Sequence, residues 1–95
     1  MKNNIVSEVR SVLINEWDPL GIGDNSNLND EYDGYIGSIM KILMQKLSVE
    51  EIVSFLKRIE NVEMGIDNVD IKHLYDIAVK LKRIGYIYYK STAYE

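Results

Sequence analysis

The sequence predicts an all-α fold, a single compact four-helix domain that spans residues 1–95, with a long acidic loop between helices 1 and 2. Apolar residues recur at intervals of three and four along four segments, which is the pattern of helices that lie on a common core. Helix-start and helix-stop residues flank these segments. With 95 residues and a hydrophobic content of 46%, the chain can bury one core without a metal or disulfides.

The first helix is predicted to run from about Asn4 to Trp17. Asn4 is a suitable N-cap, because its side-chain oxygen can accept a hydrogen bond from a backbone N–H that has no partner in the first turn. Pro19 ends the helix, since it disfavours helical geometry at Asp18 and has no backbone N–H to donate. The apolar stripe consists of Ile5, Val6, Val9, Val12, Leu13 and Trp17.

A long connection over residues 18–33 follows. Its glycines, Gly21 and Gly23, and the run Asp24-Asn25-Ser26-Asn27 are typical of turns. Connections between bundled helices usually span about two to eight residues, and longer ones are commonly functional or disordered. The connection also holds apolar residues that can anchor it, so we expect a partly ordered Ω-like loop. These residues are Leu20, Ile22 and Leu28.

The second helix is predicted to begin at Asp30 or Asp33 and to end at about Lys46. Gly34 and Gly37 would let a neighbouring helix approach closely. The predicted buried face consists of Tyr35, Ile36, Ile39, Met40, Leu43 and Leu47.

The third helix has the clearest start signal in the chain. Ser48 and Glu51 form a capping box, in which each side chain accepts a hydrogen bond from the backbone N–H of the other residue, and Leu47 with Ile52 forms a hydrophobic staple. Gly65 is placed to end the helix in a left-handed conformation. The predicted apolar stripe consists of Ile52, Phe55, Leu56, Ile59 and Val62.

The fourth helix is predicted to open with a second staple, Ile66 with Ile71 around Asp67, and basic residues suit its C-terminal end. The segment 86–89 is open to two interpretations, a helical extension or a short strand. The apolar stripe of this helix consists of Ile71, Leu74, Tyr75, Ala78, Leu81 and Ile84.

Charge is unevenly distributed along the chain, whose formal net charge is −4. Between Arg10 and Lys41 there is neither Lys nor Arg, and the acids give this stretch a charge of −6. The residues from Ile71 to the C-terminus carry a net charge of +3. An acidic segment repels nucleic acids and anionic lipids, and it attracts basic partners.

Metal, cofactor and nucleotide sites find little support in the sequence. The chain contains no Cys, which excludes thiolate zinc sites and thiol nucleophiles. A calcium loop that started at Asp24 would need Gly at its sixth position, where Asn29 stands. Gly21-Ile22-Gly23 lacks the third glycine and the preceding strand of a dinucleotide-binding loop. We therefore expect no metal and no cofactor.

The remaining polar candidates have ordinary structural explanations. His73 is the only histidine, so we expect it at the boundary of the core rather than in a metal site or a catalytic triad. Adjacent acids such as Glu50 and Glu51 lie at helix starts, where the helix dipole favours negative charge. The basic, Tyr-rich C-terminus has the residue types that bind single-stranded nucleic acid. The acidic chain as a whole argues against that function, and we expect no catalytic residues.

Neither a signal peptide nor a membrane span is expected. The apolar pattern of residues 1–13 is interrupted by Glu8 and Arg10. No stretch approaches the roughly 18 uncharged apolar residues of a spanning helix. The expected location is the cytoplasm. The expected state is a monomer or a weak dimer, because the Tyr-rich C-terminal segment could pack within its own chain or pair with a second one.

Protein binding is the function that the acidic connection favours most. Aromatic anchors ringed by charge are typical of interfaces, and acidic surfaces speed the capture of basic partners. Trp17 is instead interpreted as a core residue at the end of the first helix. The residues predicted to contact a partner are Asp18, Asp24, Asp30, Glu31, Tyr32, Asp33 and Tyr35.

Two blocks of the sequence resemble a known family. Trp17-Asp18-Pro19-Leu20-Gly21 is similar to the Trp-Asp-Pro-x-Gly signature that closes the first helix in a family of small uncharacterised bacterial helical proteins. Asp30-Glu31-Tyr32-Asp33-Gly34-Tyr35-Ile36 looks like a second block of its close relatives, and Glu60 with Met64-Gly65-Ile66 follows a similar layout. Such relatives are similar to immunity proteins of contact-dependent growth inhibition and related polymorphic toxin systems. The resemblance implies a protein that binds and neutralises a cognate toxin.

Three functional hypotheses follow from the residues and the resemblance. The first is a cytosolic immunity protein whose negative charge steers a basic toxin, most simply a nuclease, and mimics the phosphates that a nuclease binds. The alternative is a small cytosolic helical adaptor or regulator, in which the Trp-Asp-Pro motif mainly shapes the fold. An enzyme is the third hypothesis, and it would require two inward-facing acids in a deep polar cleft.

Overall fold

The computed structural model describes residues 4–22 and 31–89 and has the predicted all-α, four-helix architecture. The α-helices are α1 (Ile5–Val12), α2 (Ile36–Met44), α3 (Val49–Arg58) and α4 (Ile71–Tyr89). Two of them continue into a single π-helical turn, α1 through Leu13–Trp17 and α3 through Ile59–Glu63. A short 3-10 turn, Asp33–Tyr35, precedes α2. The described residues contain no strand.

The central helix of the fold is α4, which packs against α1, α2 and α3. All four helices contribute to one hydrophobic core. The residues that α4 buries in it are Leu74, Ile77, Ala78, Leu81, Ile84 and Gly85. No helix in the described part of the chain combines the length and the apolar character that crossing a bilayer requires.

The predicted caps of the first and third helices are confirmed. The side chain of Asn4 accepts a hydrogen bond of 2.8 Å from the backbone N–H of Ser7. In the capping box, the Ser48 N–H donates to the Glu51 carboxylate over 2.8 Å, and the Glu51 N–H donates to the Ser48 hydroxyl over 3.1 Å. Gly65 has a φ of +71°, which is the left-handed conformation expected of a helix stop. Local sequence signals therefore predicted these helix ends.

Other details of the helix ends differ from the prediction. The N-cap of α4 is Asp70 rather than Asp67, since the Asp70 carboxylate accepts a hydrogen bond of 3.1 Å from the His73 N–H. Val62 was predicted to lie on the apolar stripe of the third helix, but it is 69% exposed. The reason is the π turn, whose additional residue rotates the following side chains out of the α-helical register.

The Tyr-rich segment is helical. α4 continues through Tyr89, so residues 86–89 form the helical extension rather than a strand. On the opposite end of α4, the predicted stripe residues Ile71 and Tyr75 are each 39% exposed, whereas Ile77 is buried in their place. The buried stripe of α4 is thus rotated relative to the predicted one, because its direction is set by packing against α1, α2 and α3.

The close approach of two helices occurs at a glycine that the sequence did not single out. A Cβ atom on Gly34 or Gly37 would meet no atom within 4 Å, so the prediction that these residues admit a neighbouring helix was wrong. Gly85 fills that role instead. A Cβ atom there would lie 2.9 Å from Cβ of Leu43, which brings α4 against α2 at this point.

We expect Gly85→Ala to destabilise the fold by about 1–3 kcal/mol, the usual range for overpacking a core. The loss arises because the new methyl group meets Cβ of Leu43, which cannot rotate away. Gly37→Ala is the matched control. It adds the same methyl group to α2 in open space and should stabilise the protein by up to about 1 kcal/mol through helix propensity. Urea unfolding followed by circular dichroism measures both, and equal effects of the two substitutions would contradict the close approach.

Candidate partner-binding site at the corner between α1 and α2

A buried hydrogen bond joins the ends of α1 and α3. The indole N–H of Trp17 donates to a carboxylate oxygen of Glu60 over 2.7 Å. Trp17 is 2% exposed and Glu60 is 6% exposed. A buried carboxyl group is unfavourable unless it has a hydrogen-bond partner, and a buried indole N–H needs an acceptor. Each group therefore satisfies the other, and the prediction that Trp17 belongs to the core is confirmed.

Both partners of this bond lie in π-helical turns. The backbone N–H of Asp18 bonds to the carbonyl of Leu13 over 2.9 Å, and that of Met64 bonds to the carbonyl of Ile59 over 2.9 Å. These five-residue spacings replace the four-residue spacing of an α-helix and insert one extra residue. The insertion changes the direction of the side chains near each helix end, and the two altered ends meet at Trp17 and Glu60.

A second network closes the acidic connection at its base. The Asp18 carboxylate accepts hydrogen bonds of 2.8 Å from the hydroxyl of Tyr32 and of 2.8 Å from the backbone N–H of Ile22. The Tyr32 hydroxyl also accepts a hydrogen bond of 3.0 Å from the N–H of Leu20. Asp18 has a φ of +34°, a left-handed conformation that lets the chain turn directly after Trp17. The network therefore joins the beginning of the connection to its end.

Burial sets the protonation of Tyr32, which is 2% exposed. Its burial raises the pKa of the phenol strongly above the usual value. The N–H of Leu20 lowers that pKa in part, and the hydrogen-bonded carboxylate of Asp18 raises it further. The phenol thus stays neutral and remains a donor to Asp18.

Two tyrosine rings pack on the indole of Trp17. The ring centroid of Tyr32 lies 5.7 Å from that of Trp17, and the two ring planes are tilted by 41°. The ring centroid of Tyr35 lies 6.3 Å from that of Trp17, and the interplanar angle of 77° makes this contact edge-on. On α4, Nε2 of the half-buried His73 lies 3.3 Å from the carbonyl oxygen of Trp17. The expected boundary placement of His73 is confirmed, and its contact ties α4 to the end of the α1 turn.

The surface beside this cluster carries two carboxylates and one tyrosine, which we call the acidic edge: Glu31, Tyr35 and Glu63. Burial of the Tyr35 ring raises the pKa of its hydroxyl, and the nearby carboxylate of Glu63 raises it further. The charge of Glu31 acts in the same direction. Both glutamates are exposed, whereas Tyr35 is half-buried. The fold therefore brings a carboxylate from the end of α3 next to the acidic connection.

Two other acids of the connecting region have basic partners. Arg10 on α1 makes a two-pronged contact with Asp33, with N–O distances of 3.0 and 3.1 Å. Glu16 pairs with Lys80 of α4. The sequence between Arg10 and Lys41 contains no cation of its own, but the helices supply these two from elsewhere in the chain. The negative surface is consequently smaller than the charge pattern along the sequence indicates.

The predicted partner contacts fall into three groups. Glu31, Asp33 and Tyr35 lie at least partly at the surface. Tyr32 is buried, and Asp18 is engaged inside the corner, so an approaching partner cannot reach the Tyr32 ring. The prediction that Tyr32 contacts a partner is therefore corrected, because its ring is buried in the core. Asp24 and Asp30 lie outside the described residues.

Sequence reasoning missed two acids of this region, Glu60 and Glu63. Glu60 had a detectable signal, since it lies four residues after Leu56 and so occupies an apolar position of the third helix stripe. A charged residue at such a position must find a buried partner. Glu63 had no comparable signal, because only the tertiary fold brings it next to Tyr35.

Comparison with known proteins does not extend this description. No protein-family model, no curated protein and no solved structure matches the chain. Within residues 4–22 and 31–89, no group of three or more His, Asp or Glu side chains is arranged to hold a metal ion. The resemblance to immunity proteins thus remains a prediction that rests on the two sequence blocks.

We expect Trp17→Phe to destabilise the protein by about 2–4 kcal/mol, since it leaves the buried Glu60 carboxyl without the indole donor. Glu60→Met should also be destabilising, because it leaves the buried indole N–H of Trp17 without an acceptor. The double substitution removes both polar groups. We expect its effect to be smaller than the sum of the single effects by at least about 1 kcal/mol. Urea unfolding of the four proteins measures this coupling, and additive effects would contradict a direct bond.

The stability conferred by the Tyr32 hydroxyl should depend on pH. Its pKa is higher in the folded protein than its ordinary value of 10.0, so its contribution is complete below pH 10 and is lost as the pH rises further. The stability difference between wild type and Tyr32→Phe should therefore shrink by up to about 1.4 kcal/mol per pH unit above pH 10. Urea unfolding of both proteins at pH 8, 10 and 11 tests this. A constant difference would show that Tyr32 ionises equally in both states.

Proposed function

We propose that the protein is a cytoplasmic immunity protein that binds and neutralises a cognate basic toxin of a contact-dependent inhibition or related system. The acidic edge forms part of the contact surface. The observation that supports this most directly is the arrangement of Glu31 and Glu63, two exposed carboxylates, around the half-buried ring of Tyr35. The proposal also rests on the sequence resemblance to immunity proteins.

The acidic edge has the properties of a preorganised binding surface. The Tyr35 ring packs edge-on against the indole of Trp17, and Glu63 lies near enough to the Tyr35 hydroxyl to raise its pKa. An aromatic anchor that is fixed before binding loses little side-chain entropy when a partner docks. Tyrosine is also among the residue types that carry most of the energy of interfaces.

The carboxylates supply the electrostatic part of recognition. Glu31 and Glu63 belong to different segments of the chain, yet both act on the Tyr35 hydroxyl. Negative charges on one surface speed the association of a basic partner, and each carboxylate offers bidentate acceptors to an Arg side chain. Asp24 and Asp30 belong to the same acidic connection in sequence and stay predicted contacts, as does Asp33.

One observation favours the alternative of a small helical adaptor or regulator. The Trp-Asp-Pro motif directs its hydrogen bonds inward, from Trp17 to Glu60 and from Tyr32 and Ile22 to Asp18, as a motif that mainly shapes the fold would do. The two functions differ in their genetic context. A large secreted-toxin gene immediately upstream supports the immunity protein, and co-purification from the native host identifies the partner of either.

The decisive experiment is protection of bacterial cells that express the toxin encoded by the adjacent gene. Wild-type protein should restore growth. We expect Glu31→Lys/Glu63→Lys to weaken binding of that toxin at least tenfold, a loss of about 1.4 kcal/mol, because two attractive charges become repulsive. Titration calorimetry with the purified toxin measures the change.

Glu50→Lys is the matched control, since Glu50 is exposed at the other end of the third helix. The helix dipole disfavours a Lys at that N-terminal position and favours one at position 63. If loss of stability were the cause of weaker binding, Glu50→Lys would therefore bind the toxin less well than a variant with Lys at position 63. Unchanged protection by the double variant would refute the role of the acidic edge, and failure of the wild type to protect would refute the immunity function itself.

A further inference from the structure

The outer face of α4 carries apolar residues that the core does not cover. Five large hydrophobic residues of this helix are exposed: Ile71 by 39%, Tyr75 by 39%, Val79 by 43%, Tyr86 by 62% and Ile87 by 62%. Spacings of four, four and seven residues align Ile71, Tyr75, Val79 and Tyr86 along one side of the helix. The stripe runs over most of α4, which is about 28 Å long at 1.5 Å per residue. An exposed apolar stripe of this length indicates an interaction surface.

Two opposite charges flank this stripe, Asp76 and Arg83. Both are exposed and both line the groove next to Val79. They stand seven residues apart, so they lie on the same side of the helix but about 10 Å from each other along its axis. That separation is too long for an ion pair between them. Asp76 therefore lies nearer the N-terminus of α4 than Arg83 does, and the exposed Lys72 stands four residues before Asp76.

This arrangement is complementary to itself when two helices run antiparallel. A two-fold axis that passes between residues 79 and 80 sets Asp76 of one copy level with Arg83 of the other, and the reverse pair forms by symmetry. The same axis brings the Val79 side chains together at the centre. It also places Tyr86 of the second copy at a level between Ile71 and Tyr75.

Neighbouring basic residues do not oppose this pairing. Lys80 is bound to Glu16, and Lys82 donates to the carbonyl of Leu47 over 2.7 Å, so both are directed toward their own chain. Lys72 is level with Ile87 of the second copy, one helical turn away from Arg83 of that copy. An antiparallel arrangement sets Asp76 level with Arg83, whereas an in-register parallel one would place like charges side by side.

We propose that two copies of this protein associate through the outer face of α4, with the helices antiparallel and with reciprocal Asp76–Arg83 pairs. The contact is one helix wide, which is smaller than the interfaces of permanent dimers. The association is therefore weak and depends on protein concentration and on salt.

Sedimentation velocity of the full chain tests the proposal, over protein concentrations from about 10 µM to about 1 mM, a range chosen for weak dimers. Wild type should shift from monomer to dimer within this range. Asp76→Arg and Arg83→Asp should each raise the dissociation constant at least tenfold, because each creates two like-charge pairs. The double exchange Asp76→Arg/Arg83→Asp should restore dimerisation, since the reciprocal pairs form again with reversed polarity.

A mixture of the two single variants, Asp76→Arg and Arg83→Asp, tests the charge pairing most directly. One chain then carries Arg at both positions and the other carries Asp at both, so a heterodimer forms two favourable pairs. We expect the mixture to associate although neither variant does alone. A folding defect could not produce this rescue. Arg58→Asp on α3 is the matched control, because it reverses an exposed charge away from α4 and should leave dimerisation unchanged.

A wild type that remains monomeric at about 1 mM overturns the proposal, as does a mixture of the single variants that fails to associate. This inference does not depend on the immunity function. Glu31→Lys/Glu63→Lys, which alters the acidic edge, should dimerise as wild type does. Loss of toxin binding and loss of dimerisation are therefore separable results.

Discussion

The hydrogen bond between Trp17 and Glu60 is the constraint on which the rest of this structure depends. It joins the end of the first helix to the end of the third, across 43 residues of sequence, and it is buried on both sides. A carboxyl group is tolerated at that depth because the indole N–H meets it, and the two π turns set the geometry of the meeting. Tyr32 and Tyr35 then pack on the indole ring. The corner between α1 and α2 is consequently a packed unit with polar groups inside it.

The corner also determines what the surface offers. Asp18 and Tyr32 bond to each other inside the corner, whereas Glu31, Tyr35 and Glu63 lie at least partly at the surface, where the proposed partner would bind. At the corner, polar groups lie inside the protein, whereas α4 has apolar residues at its surface. The inner side of α4 forms the centre of the core, and its outer side exposes an apolar stripe. The protein thus has two candidate surfaces of different chemistry, one for a basic partner and one for a second copy of itself.

Much of the fold could be predicted because its signals are local. Asn4, the Ser48–Glu51 box and Gly65 each act within a few residues of the helix end that they define, and each acts as predicted. The errors have a common cause. The π turn decides that Val62 faces solvent, and helix packing decides which glycine lies against a neighbouring helix. The three- and four-residue spacing of apolar residues contains neither kind of information. The same limit applies to the candidate site, of which the sequence predicted Glu31 and Tyr35 but not Glu63.

The sequence by itself determined the four helices, the caps of the first and third, the burial of Trp17 and the acidic character of the connection. Hydrophobic periodicity and capping operate over one or two helical turns, and such patterns can be found in a single chain without its fold. Only the tertiary structure decided which groups meet. Arg10 reaches Asp33 across 23 residues, and Trp17 reaches Glu60 across 43. Pairs so distant in sequence are selected by how the helices pack around α4, and that packing determines which acids are paired inside the protein and which remain at its surface.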